Sequence, residues 1–143
     1  MPGRPLYLFD GYNLLHAGGY RDARELIDTL ASYVAVHGAC GVVVFDGVGD
    51  DAEHGPLSVR YARHADALLE RLAADQRARR HVVLVTSDAT VAASAGIEVQ
   101  KLSSQAFVRE LQPAERRDER PRGLAGKLDD ETRARLERLR RGE

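Results

Sequence analysis

Apolar residues along this chain fall into two kinds of run. Short continuous blocks, Leu6–Phe9, Val42–Phe45 and His81–Thr86, read as strands buried on both faces. Between them the apolar positions recur at helical spacing. Over Arg21–His37, the residues Ala23, Leu26, Ile27, Leu30 and Val34 share one face, and Gly38 fits a helix C-cap. Over Ala65–Arg77 the stripe is Leu68, Leu69, Leu72 and Ala73. Ala89–Ala95 reads as a short helix closed by Gly96, and Ile97–Lys101 as a last strand. Ser103 can cap a helix running to Leu111. Gly47–Pro56 reads as a polar loop and Leu57–Tyr61 as a short edge strand. Buried strands alternating with helices imply an α/β fold with a parallel sheet and right-handed crossovers.

The pattern changes at Gln112. The stretch "PAERRDERPRGLAGK" is rich in charge, proline and glycine and reads as an extended arm. Asp129 can cap a final helix over residues 130–141, whose apolar face is only Leu136 and Leu139. Such a thin face requires docking on the domain or on a partner. The expected organisation is a domain over residues 1–111 followed by a charged arm and helix over 112–143.

Composition narrows the classes. The chain has 143 residues, 43% hydrophobic and 30% charged, with a net charge of -1. One domain with a core is affordable at that length, and any basic surface must be local. The lone cysteine, Cys40, excludes an intrachain disulfide and reads as a small core residue. No apolar run is long enough to cross a bilayer, and no leader pattern opens the chain. The expectation is a soluble, cytoplasmic protein.

The candidate chemistry lies at the strand tips. "LFDG", "VFDG" and "TSDA" place Asp10, Asp46 and Asp88 directly after apolar strands. In a parallel sheet those tips share one edge, where ligands bind. Asp66, in the first turn of the helix leading into the third of these strands, belongs to the same edge. Clustered carboxylates repel one another unless a cation compensates, and hard oxygen donors suit Mg²⁺ or Mn²⁺. Two such ions about 4 Å apart can drive phosphodiester hydrolysis. Each aspartate alone also fits a turn or a cap, Asp88 most plainly as the cap of the helix after it. Glu70 lies one turn beyond Asp66 and fits either the same edge or a solvated face.

"FDGYNLLHA", followed in order by "VVVFDG", "ADALLERLA", "VLVTSD" and "AGKLDDETRARLERLRRG", resembles the YacP-like NYN proteins of the PIN-like nuclease superfamily. The resemblance covers nearly the whole chain. It implies a Rossmann-like three-layer fold with parallel strand order 3-2-1-4-5, and metal-dependent endoribonuclease activity. It places the acidic site at Asp10, Asp46, Asp66 and Asp88, with Asp10, Asp66 and Asp88 holding Mg²⁺ or Mn²⁺ directly or through water. Asn13 matches the family asparagine, able to orient Asp10 or a metal-bound water. Ser87 matches the serine able to hold a carboxylate or a phosphate. Some bacterial members act on messenger RNA at the ribosome. The loop after Asp46, "GVGDDAEHGPL", is short and acidic here, which departs from a ribosome-contacting surface.

RNA would need local basic groups. Arg60, Arg63, Arg109, Arg116 and Arg117 lie nearest the acidic edge in chain order and are the expected contacts. Tyr12 can stack on a base or simply pack. Among five scattered histidines, only His64 lies close in sequence to a proposed site residue. Two competing readings differ in class. A haloacid-dehalogenase-type phosphotransferase would want a second aspartate where Tyr12 stands. An RNA- or ribosome-binding module that has lost its activity would not need four aspartates.

Overall fold

The computed structural model describes residues 3–111. The charged arm and the helix expected over 130–141 lie outside the described residues, as do Arg116 and Arg117. In chain order the elements are β1 (Leu6–Asp10), α1 (Gly11–Gly18), α2 (Ala23–Val36), β2 (Cys40–Asp46), β3 (Ala52–His54) and β4 (Leu57–Ala62). They continue with α3 (Ala65–Gln76), β5 (Val82–Val85), α4 (Ala89–Ser94), β6 (Gln100–Leu102) and α5 (Ser104–Leu111).

The six strands form one sheet in the order β3-β4-β2-β1-β5-β6. All pairings are parallel except β3 with β4. The five parallel strands taken alone stand in the order 3-2-1-4-5. β1 is central, with Leu8 opposite Val42 on one side and Leu84 on the other. Alternation along β1 divides the core. Leu6 and Leu8 join Val44, Val82 and Leu84 under Leu69 and Ala73 of α3 and Val91 of α4. Tyr7 and Phe9 face the opposite way, onto Tyr33 of α2 and Phe107 of α5. Phe107 is fully buried, 5.3 Å from Phe9 and 4.9 Å from Tyr33 between ring centroids. Its removal from water is worth on the order of 2–3 kcal/mol. The result is three layers: helices on each face of a mostly parallel sheet.

The helix caps follow local chemistry. Asp22 accepts from the Glu25 amide at 3.0 Å and starts α2. At the other end Gly38 takes φ 63°, and the Ala39 amide returns to the Val34 carbonyl at 2.9 Å. That is the C-cap expected at Gly38. Ser103 caps α5 through the Ala106 amide at 3.1 Å.

Four local expectations need correction. Residues 11–18 form a helix, where "DGYN" reads as a turn. Eight residues are too few to display a period, and the Gly and Asn look like turn formers. Gly11 is present for space: a Cβ there would lie 2.5 Å from the Phe45 ring and 2.9 Å from the Val44 carbonyl oxygen. Part of the acidic loop forms β3, so Leu57–Ala62 is not at the edge of the sheet. The last strand begins at Gln100, and Ile97 is 96% exposed. Cys40 is only half-buried, with an Arg80 guanidinium N–H 3.2 Å from its sulfur.

Candidate active site

The parallel strands deliver their C-terminal ends to one edge, and the acidic residues arrive there from four elements. Asp10 ends β1 and Asp46 ends β2. Asp88 caps α4 just beyond β5, and Asp66 stands in the first turn of α3. All four line one cleft of about 390 Å³, together with Tyr12, Asn13, His16 and Ala65.

One oxygen of each carboxylate is used to hold it. Thr86 Oγ donates to Asp10 Oδ2 at 2.8 Å. Asp88 Oδ1 accepts from the Thr90 and Val91 amides at 2.9 and 3.4 Å. Asp46 Oδ1 accepts from Ala65 N at 3.4 Å, and Asp66 Oδ1 from Ala67 N at 2.9 Å. So Asp88 is a helix cap and also lines the cleft; the two readings do not exclude each other. Among the described residues, no Lys, Arg or His forms an ion pair with any of the four.

Asp10 bears the electrostatic consequence. Its carboxyl is held above the usual carboxylate range, mainly by burial and further by the charges of Asp88 and Asp66. The Thr86 hydroxyl and the neighbouring Asn13 backbone N–H oppose this by favouring the ionised form. Thr86 is the residue that sequence reasoning passed over. It is 5% exposed, and its oxygen also accepts from the Asp88 amide at 3.0 Å, so it links two members of the acidic set. The available signal was a hydroxyl residue closing an otherwise continuous apolar strand.

Asn13 performs a different task from orienting Asp10. Its side-chain oxygen accepts from the Ser87 amide at 2.9 Å and from the Ser104 hydroxyl. It thereby fastens α1 to the β5–α4 turn and to the start of α5. Its NH₂ is the end left for the cleft it lines. Ser87 does not hold an aspartate: its hydroxyl donates to Gln105 Oε1 and accepts from Ser104 N. Ser87 opens onto an adjoining cavity with Lys101, Ser103 and Gln105. Glu70 is half-buried on α3 and does not line the acidic cleft.

The histidine nearest the site is also a correction. His64 faces another cavity, whereas His16 lines the cleft. The cause is α1: a helix brings Tyr12, Asn13 and His16 onto one side at spacings of three and four. Arg60 lies with His64 away from the acidic cleft, and Arg63 is exposed outside both cavities. Arg109 lies on α5.

The donor set can be tested against a divalent cation. It consists almost wholly of hard oxygens, which suits Mg²⁺ or Mn²⁺ and not zinc. Among the described residues, no three His, Cys, Asp or Glu side chains are arranged to hold a metal ion. Mg²⁺ keeps most of its waters and is commonly held by one or two carboxylates plus substrate phosphate. An open acidic cleft fits that mode of binding.

A family model described as the YacP-like NYN domain matches residues 7–141. Among solved structures, the chain is similar to the crystal structure of Rae1 (YacP) from Bacillus subtilis. The TM-score is 0.61 at 29% identity, covering 80% of this chain and 77% of that one. A single-substitution variant of the same Bacillus subtilis protein matches equally, with 79% of its chain covered. No curated protein matches. With a family match over nearly its whole length, and a mostly parallel sheet flanked by helices that agrees with the matched structure, the chain belongs to the YacP-like NYN family, within the PIN-like nucleases.

Proposed function

We propose that the protein is a metal-dependent endoribonuclease that hydrolyses RNA phosphodiester bonds at the acidic cleft. The observation that carries the reading is four carboxylates from four elements around one cleft, with no pairing cation among the described residues. Membership of a nuclease family supports the same reaction class. Asp10, Asp66 and Asp88 are the residues that would hold Mg²⁺ or Mn²⁺, with Asp46 completing the charge. A divalent cation bound there supplies charge neutralisation at the phosphate and acidifies an attacking water.

The protein's own groups prepare that site. Thr86 fixes the Asp10 carboxyl and favours its ionised form against the effect of burial. Asp88, anchored on the first turn of α4 through one oxygen, lines the cleft. Asn13 holds the wall in place and offers its NH₂ as a donor to a phosphate oxygen. Tyr12, 40% exposed and edge-on to Phe45 at 5.1 Å, is a platform on which a base can stack. The substrate class is messenger or structured RNA, in decay or processing. The acidic hairpin carrying Asp50, Asp51 and Glu53 favours RNA off the ribosome over a ribosome-bound mode.

The test is cleavage of end-blocked structured and unstructured RNA, with Mg²⁺, Mn²⁺ or chelator. Internal cleavage should require metal, and Asp10→Asn and Asp66→Asn should each lower its rate at least ~100-fold. Equal cleavage by wild type and variants would show that the cluster is not the site. RNA binding without cleavage by any form would favour a binding module.

A further inference from the structure

A second cavity lies beside the acidic cleft, across the first turn of α3. Its volume is about 380 Å³, and Arg60, Tyr61, His64 and Arg71 line it over a floor of Ala67 and Leu68. The two cavities share a wall: Ala65 and Asp66 face the carboxylates, while His64 and Ala67 face the arginines. Arg60 comes from β4 and Arg71 from α3, two turns of helix beyond His64. Among the described residues neither arginine forms an ion pair. The one carboxylate in the lining, Asp51, is occupied by the Tyr61 amide at 3.1 Å.

Tyr61 is packed into the cavity wall, stacked on Phe45 at 5.5 Å between ring centroids, with Gly49 so close that a Cβ there would come within 2.7 Å of the ring. Two guanidinium groups and an imidazole beside it are suited to phosphate. We infer that this cavity binds the backbone phosphate of the same RNA strand, next to the phosphate in the acidic cleft, independently of base identity. The identification of the strand as RNA rests on the proposed nuclease reading; the phosphate assignment rests on Arg60 and Arg71. The pairing also differs from that expected from chain order, since Arg60 acts with Arg71 and not with Arg63.

The test is fluorescence anisotropy on labelled 12-nucleotide oligo-U and oligo-A in chelator, so that no cleavage intervenes. The proteins are wild type, Arg60→Gln, Arg71→Gln, the double variant and Arg79→Gln, an exposed arginine beyond the far end of α3. Each lost phosphate contact should flatten the plot of log K against log salt by about 0.7 for a single strand. At 50 mM salt that corresponds to roughly 8-fold weaker binding per arginine and about 60-fold for both. The loss should be equal on both oligonucleotides, and Arg79→Gln should bind like wild type. Arg60→Lys with Arg71→Lys should keep most of the slope. If the glutamine variants fold poorly by circular dichroism, Ala67→Glu serves instead. It puts a negative charge on the exposed wall in a helical first turn that tolerates it, and should weaken binding in the same way. Unchanged affinity and slope in the folded variants would overturn the inference, as would a loss confined to one base. Metal-dependent cleavage by a protein whose arginine variants bind normally would retain the nuclease and remove this subsite. Arginine-dependent binding without cleavage would do the reverse.

Discussion

Thr86→Val isolates one hydroxyl in a residue that otherwise keeps its shape and its strand-end position. Two hydrogen bonds are lost. The first goes to the Asp10 carboxylate at 2.8 Å and the second comes from the Asp88 amide at 3.0 Å. A hydrogen bond to a charged group contributes about 1.5–3 kcal/mol and a neutral one about 0.5–1.5 kcal/mol. Asp10 is only half-buried and Asp88 is exposed, so water replaces part of both losses and the sum is about 1.5–3 kcal/mol at pH 7. For a domain of this size that lowers Tm by on the order of 10 °C. The two parts separate with pH. The Asp10 part requires an ionised carboxylate, so it fades as pH falls through the raised Asp10 pKa. The Asp88 amide part persists. Denaturant titrations of wild type and variant between pH 7 and pH 3 should therefore converge to a residual difference of about 0.5–1 kcal/mol. A loss below about 0.5 kcal/mol, or one that does not shrink in acid, would refute the bond to an ionised Asp10. Thr86→Ser, which keeps the oxygen, should recover most of the stability.

Asp10→Asn should raise the stability of the metal-free protein. With its folded pKa above the unfolded value, the native state binds more protons through that window. Asp10 therefore contributes stability that is present in acid and lost as pH rises. The thermal advantage of Asp10→Asn should be visible at pH 7 and vanish near pH 3. Saturating Mg²⁺ or Mn²⁺ should reverse the order, because a ligand at 100 times its Kd stabilises wild type by about 2.7 kcal/mol. Gly11→Ala should destabilise by about 1–3 kcal/mol despite better helix propensity, because its Cβ meets Phe45 and the Val44 carbonyl; urea unfolding checks this. Asn13→Ala should release the tie between α1 and the Ser87 turn. The Ser87 amide should then lose hydrogen-exchange protection by roughly 10-fold, while those of β2 are unchanged.

What was legible in the sequence was whatever a long or continuous apolar run reports. The parallel sheet and the aspartates at the strand tips follow from blocks such as "LYLF" and "VVVF" ending abruptly in "DG", whereas the strand order is what the family resemblance implies. α1 was not legible, because Gly11 is required by a close approach to Phe45, and a contact 34 residues away leaves no local trace. The loss of α1 propagated. Without a helix, His16 had no reason to sit beside Asn13, and His64 was favoured because it is near Asp66 in sequence. Arg60 and Arg63 were grouped on the same ground, although one strand residue faces a cavity and the other is outside it. Thr86 escapes notice because its significance lies in a bond to Asp10, 76 residues back along the chain. Proximity along the chain was a poor guide wherever a strand end intervened.

The near-neutral chain divides its charge over one short helix turn. On one side of residues 64–67 stand four carboxylates, and on the other two arginines and a histidine against the single carboxylate of Asp51. The two sets do not pair across the turn: Asp46 is held by Ala65 N and Asp66 by Ala67 N, and among the described residues neither arginine forms an ion pair. On the proposed reading, the α3 N-terminus separates an edge that takes a cation from a cavity that takes an anion. A polyanionic strand with divalent counterions supplies both at once. Neither free metal nor free phosphate does. The coupling can be measured: Mn²⁺ should strengthen oligonucleotide binding to the wild type and leave that of Asp10→Asn with Asp66→Asn unchanged. With Arg60→Gln and Arg71→Gln, the Mn²⁺ effect should survive on a weaker baseline. If Mn²⁺ strengthened binding equally in the double aspartate variant, the cation would be acting on the nucleic acid alone, and the division of charge across α3 would have no part in recognition.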